Sequence, residues 1–177
     1  MKATLDHNVI IDLANDSAEV APLRAAIASG LYEAYVVEIG ASEMRQRGIQ
    51  PDRYDLFEEL LLQAGIAQLP RLSPMLIWDV TFWDRCIWAN EEMVGLARQI
   101  EEVLFGDAKV IDIAAEKDNS AVFRTWLNRT CDVHTMWCHI HHGNDVFITS
   151  DKNFLKASKL PRLLELGAKS ICLPRDA

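Results

Sequence analysis

Short apolar runs alternate with longer helical patterns along the whole chain. Residues 3–5 form a brief β-prone run that leads into Asp6-His7-Asn8 and then an apolar helical turn over 9–13. Residues 18–29 carry Val20, Leu23 and Ile27 at helical spacing and stop at Gly30. Tyr35-Val36-Val37 predicts a second strand, and 40–45 opens a helix with Glu43 on its first turn. Asp52 begins another helical pattern, with Leu56, Leu60 and Gln63 on one side and Gly65 at its end. A third strand is expected over 66–70, cut off by Pro70.

The longest helical expectation runs over 73–105, with Ser73 as cap and Pro74 at the first position. It contains Trp78, Trp83 and Trp88, which are expected to be core or a subunit contact. Gly106-Asp107 breaks the pattern, and a shorter helical piece follows over 110–115. Asn119-Ser120 caps the next helix, which extends to about Gly143 with Trp126, Val133, Trp137 and Ile140 on its core stripe. Asp132 flanks that stripe, with Arg129 and Met136 a turn to either side. A buried strand over 145–149 ends in Ser150-Asp151; a helix over 160–166 and a strand over 170–173 complete the series. Strands that alternate with helices predict an α/β fold, a three-layer α/β/α sandwich around a central, mainly parallel sheet.

With 177 residues, half of them hydrophobic, the chain suits one domain with a proper core. No apolar run approaches the ~20 residues of a membrane span, and the N-terminus lacks a basic-then-apolar leader. A cytoplasmic location without membrane attachment is therefore expected. Cys86, Cys131, Cys138 and Cys172 have no C-x-x-C spacing, so reduced and mostly buried thiols are expected. The formal charge of −8 argues against broad nucleic-acid binding, though it leaves room for a local basic rim or a metal-bridged substrate.

Candidate chemistry concentrates on acids placed where strands end. A carboxylate such as Asp6, at a strand-to-helix junction, stands at the sheet edge that serves as the site in open α/β folds. On this stretch alone, a local role for Asp6 or Asn8 as a helix cap is the favoured reading, so the case depends on partners for Asp6 further along. Asp151 follows the 145–149 strand in the same way, Glu43 opens a helix just past the second strand, and Asp132 lies on the helix that feeds the Asp151 strand. Acids drawn from separate elements repel one another, and such a set is normally retained to hold hard divalent cations.

These pieces resemble the PIN-domain metal-dependent nucleases. The resemblance rests on Leu5-Asp6-His7-Asn8, Ala41-Ser42-Glu43-Met44, Cys131-Asp132-Val133 and Phe147-Ile148-Thr149-Ser150-Asp151-Lys152-Asn153-Phe154, with Leu163-Leu164-Glu165-Leu166-Gly167 and Pro174 at the C-terminal end. It implies one PIN-like domain over 1–177, an enlarged helical segment at about 74–115, and a Mg²⁺ or Mn²⁺ site. The activity it implies is endonucleolytic hydrolysis of phosphodiester bonds in single-stranded RNA. Asp6, Glu43, Asp132 and Asp151 would be the catalytic and metal-binding acids, and Asn8 and Thr149 their hydrogen-bonding support. Arg45, Arg47, Arg129 and Lys152, the cations nearest those acids in sequence, offer a basic rim for the RNA backbone.

Other readings compete for the same residues. Cys131, His134, Cys138 and His142 share a helical face but span about 16 Å of axis, too far for one tetrahedral zinc ion. A haloacid-dehalogenase-like phosphatase needs a second aspartate where Asn8 stands, and a receiver domain needs a lysine where Cys172-Leu173-Pro174 stands. The rival from another class is a catalytically inactive PIN-like binding or scaffold module. The acidity and the Trp-rich segment favour it, since exposed tryptophans suit a protein partner or a second copy of the chain.

Overall fold

A computed structural model describes residues 1–47, 53–106 and 120–177, apart from the side chains at 46 and 47. The expected helix start at Asp52, the breaker Asp107, the 110–115 helical piece, the Asn119 cap and the Arg47 side chain lie outside the described residues. Five parallel strands form the sheet: β1 (Lys2–Leu5), β2 (Glu33–Val37), β3 (Arg71–Leu72), β4 (Val146–Ile148) and β5 (Ile171–Cys172). Their order is β3-β2-β1-β4-β5. The chain therefore steps outward twice from β1, crosses back, and steps outward on the other side. The strand order reverses between β1 and β4.

Each strand alternates its side chains between two cores. Ala3, Leu5, Val36, Val146 and Ile148 face the side covered by α1 (His7–Ala14), α2 (Ala21–Ala28) and α4 (Asp55–Gln63), where Val9, Leu13, Leu23, Phe57 and Leu61 are buried. Val37, Phe147 and Ile171 face the side covered by α5 (Glu91–Phe105), α6 (Ala121–His141) and α7 (Leu160–Leu163), with Leu104, Leu127, Trp137 and Leu163. Two covered faces make this the expected α/β/α sandwich, and burial on both faces suits an all-parallel sheet. No helix among the described residues is long and apolar enough to cross a membrane.

Three expectations are corrected. The third strand is Arg71–Leu72, just beyond Pro70, rather than 66–70. Residues 66–70 are turn, and Pro70 contributes only its carbonyl, which accepts the Val36 amide at 3.0 Å.

The long helix over 73–105 is only its second half. Residues 73–90 are extended and turned, with a parallel bridge between Met75 and Ile87 and one tight turn at Trp83–Arg85. Helix α5 starts after Asn90, whose Oδ1 accepts the Met93 amide at 2.9 Å, with Glu91 and Glu92 in the first turn. That cap and its acids complement the helix dipole. The β-branched and aromatic residues before it (Ile77, Val80, Thr81, Phe82, Ile87) disfavour helix, and Asp79 adopts φ 58°.

The third correction follows from the second: Trp78, Trp83 and Trp88 are exposed, not core. In α6, Ser120 caps as expected, its Oγ accepting the Phe123 amide at 3.0 Å. Val133 and Trp137 are buried, whereas Trp126 and Ile140 are only partly so.

Candidate active site at the sheet edge

Asp6 directly follows β1, and Thr149 and Asp151 follow β4, so these residues meet where the strand order reverses. That crevice is the ligand site of open α/β sheets. Asp6 is 3% exposed and held by three donors. The His7 amide reaches Oδ1 at 2.8 Å, while Asn8 Nδ2 and Thr149 Oγ1 reach Oδ2 at 3.0 and 2.6 Å. The cap reading and the site reading of Asp6 are thus compatible, because one carboxylate oxygen serves each. Burial pushes its carboxyl up to about 6, against the pull of these donors and with the help of Asp151's charge.

The β4 end is tied to the same point. The Asp151 amide donates to Thr149 Oγ1 at 2.9 Å, and Asp151 Oδ1 accepts the Asn153 amide at 2.7 Å. Asn8 Oδ1 accepts the Ser150 amide at 3.0 Å, so one asparagine bridges the two strand ends. Asn8 and Thr149 therefore both hydrogen-bond Asp6 and join it to the β4 end.

Glu43 ends the short helix α3 (Gly40–Glu43), which packs against α6. From α6, the partly buried Asp132 carboxyl is pushed up to about 9. Burial is the main cause, followed by the charges of Asp6, Glu43 and Asp151. Asp132 therefore lies within electrostatic reach of Asp6, Glu43 and Asp151. Among the described residues, no three His, Cys, Asp or Glu side chains converge tightly enough to hold an ion as they stand. Magnesium commonly binds through one or two carboxylates and keeps several waters.

The donor set is all oxygen, the ligand chemistry of Mg²⁺ or Mn²⁺ rather than of zinc or copper. Asp6 and Asp132 are raised above their ordinary range mainly by burial, with neighbouring carboxylate charge adding to it. Both observations fit a hard divalent cation.

The cations separate into different settings. Arg45 is 8% exposed; its guanidinium donates to the Asp79 carbonyl and lies 5.3 Å over the Phe123 ring. Arg129 is partly buried with its guanidinium 5.2 Å over Phe105, and Lys152 is exposed beside Asp151. His134 and His139 are buried, and burial lowers both to about 4. His139 is bound between Thr4 Oγ1 and the Ala168 carbonyl, at 3.1 and 2.8 Å. The cysteines are free, as expected, with Cys131 and Cys138 buried.

Two residues at this edge escaped the sequence. Asp12 Oδ2 accepts the Ser150 hydroxyl at 2.6 Å, bringing a fifth acid to the rim. The signal was present: Asn8 and Asp12 are four apart on α1, so they share a face, and both hold Ser150. Glu38, 3% exposed just past β2, is bonded by the Tyr54 hydroxyl and lies 3.6 Å from Arg85. It ties the 73–90 segment to the sheet. Compared with family models, curated proteins and solved structures, the chain matches none.

Proposed function

We propose that this chain is a divalent-metal-dependent endoribonuclease that hydrolyses phosphodiester bonds in single-stranded RNA. The observation behind the reading is that Asp6 and Asp151 follow β1 and β4, where the strand order reverses, and that Asp132 feels the charges of both and of Glu43. The resemblance of the same residues to PIN-domain nucleases supports it. Bound Mg²⁺ or Mn²⁺ would supply an activated water and neutralise charge on the scissile phosphate.

The protein's own part is placement. Thr149, Asn8 and the His7 amide fix Asp6, and the Asn153 amide orients Asp151. A cation bound there would favour the ionised form of Asp132. Lys152 follows Asp151 and is exposed, which leaves it available to a backbone phosphate.

The test is cleavage of an end-labelled single-stranded RNA by purified protein. Internal cuts that require Mg²⁺ or Mn²⁺, stop with EDTA and vanish in Asp6→Asn are expected. Cutting that survives both treatments would overturn the assignment. RNA or protein binding without any cutting would favour the inactive binding module instead.

A further inference from the structure

Trp78, Trp83 and Trp88 are 68%, 63% and 76% exposed. Their rings form an edge-to-face ladder, with centroids 5.1 Å apart at 78° and then 6.4 Å apart at 66°. An ordered, contiguous aromatic patch on a surface marks an interaction site, whereas scattered single hydrophobics do not. The segment that carries it is anchored. Ser42 Oγ donates to the Val80 carbonyl at 2.6 Å, Arg45 binds the Asp79 carbonyl, and Arg85 reaches the buried Glu38. A surface held in place before binding loses less entropy on docking.

The charges around the ladder select its occupant. Asp79, Asp84, Glu91 and Glu92 are all exposed, and Arg85 is the one cation in the sequence from 75 to 92. Arg85 is already engaged: its guanidinium lies 4.7 Å over the Tyr54 ring and pairs with Glu38 and Asp84. The ladder therefore combines exposed indole surface with a net negative stretch of sequence, in which Asp84 is already paired with Arg85. Indole faces attract guanidinium and ammonium groups, and the carboxylates add charge attraction. RNA phosphates would meet the same four carboxylates, and a second copy of the chain would bring another −8.

We propose that the ladder of Trp78, Trp83 and Trp88 is a docking surface for an arginine- or lysine-rich segment of a partner protein. This surface is independent of the nuclease reading. The test is fluorescence anisotropy of a labelled oligo-arginine peptide with the full chain, the triple alanine variant of the ladder, Trp88→Ala alone, and Glu165→Gln as a distant charge control. The triple variant is expected to lose affinity by about tenfold or more, the sum of modest cation–π contributions. Trp88→Ala should lose a few-fold, and Glu165→Gln should match the parent. Because Trp88 is the most exposed of the three, its variant keeps the test valid if the triple variant fails to fold.

Equal peptide affinity in the parent and ladder variants would overturn the proposal, since binding would then follow bulk charge. Two other results would also overturn it. One is oligouridine binding that depends on the ladder while the peptide does not bind. The other is self-association that the ladder variants abolish.

Discussion

Thr149 donates its hydroxyl hydrogen to Asp6 Oδ2 at 2.6 Å, and Thr149 Oγ1 itself accepts the Asp151 amide at 2.9 Å. One buried hydroxyl thus sets the positions of two acids on different strands. Thr149→Val keeps the shape and leaves a buried carboxylate and an amide short of a partner. A loss of about 2 kcal/mol is expected, the usual scale for a hydrogen bond to a charged group. The Asp6 carboxyl should rise further, because Thr149 is the strongest influence holding it down. Metal-dependent cleavage should fall, and its acid limb should move to higher pH; Thr149→Ser should restore both. A pH–rate profile that is unchanged in Thr149→Val would remove Thr149 from the site.

The acid cluster makes a second prediction that needs no substrate. Folded Asp6 and Asp132 titrate near 6 and 9, both above the ordinary 3.8, so the native state holds more protons in that window. Stability of the metal-free protein should therefore fall as pH rises from about 4 through these values. The slope has a ceiling of about 1.4 kcal/mol per pH unit for each group. Asp132→Asn removes its share, so it should raise the melting temperature of the metal-free protein at pH 7–9 and flatten the profile. It should also shrink the stabilisation given by millimolar Mg²⁺ or Mn²⁺, which stabilise only by binding the folded site. Glu165→Gln, an exposed acid elsewhere, should do neither. If Asp132→Asn melts lower and keeps the full metal shift, the acids do not form one site.

The sheet was legible because its strands are short apolar runs buried on both faces, and Asp6 and Asp151 were legible because they end such runs. The misreadings have local causes. Ser73-Pro74 carries every mark of a helix start, yet the actual cap, Asn90, lies seventeen residues beyond Ser73 and is backed by two glutamates. Propensity over 73–90 was outweighed in that reading by the cap signal. Arg45 looked like a rim cation because sequence distance to Glu43 says nothing about Phe123, the ring it packs on. Asp12 drew no reading from the sequence, since its partner Ser150 is 138 positions away.

Those different settings predict different behaviour for the cations. Lys152→Ala should weaken single-stranded RNA binding and reduce the salt slope by about 0.7, the value for one phosphate contact on a single strand. Its melting temperature should not change. Arg45→Ala should instead destabilise the fold by about 1–3 kcal/mol, because it removes a donor from the Asp79 carbonyl and a packed cation from Phe123. Salt titrations and thermal melts of both variants check this. A stable Arg45→Ala protein with a flattened salt slope would return Arg45 to the RNA rim.

The last prediction concerns how α3, and with it Glu43, is seated. Gly40 opens α3 with an ordinary helical backbone, so its need for glycine is one of space. A methyl group there would come within 2.8 Å of His7 Nδ1 and 3.0 and 3.1 Å of two Phe57 ring atoms. Both neighbours are buried, at 5% and 0% exposure, and His7 is the residue whose amide binds Asp6. Gly40→Ala should therefore cost about 1–3 kcal/mol through overpacking, despite alanine's better helix propensity. Because the strain falls between α3 and the residue next to Asp6, metal-dependent cleavage should fall further than the loss of folded protein explains. Phe57→Leu frees volume on one side of the contact, so the double variant should be more stable than the two single losses add up to. Strict additivity, or a Gly40→Ala protein as stable and active as the parent, would show that α3 has room to shift and that Glu43 is not held by this contact.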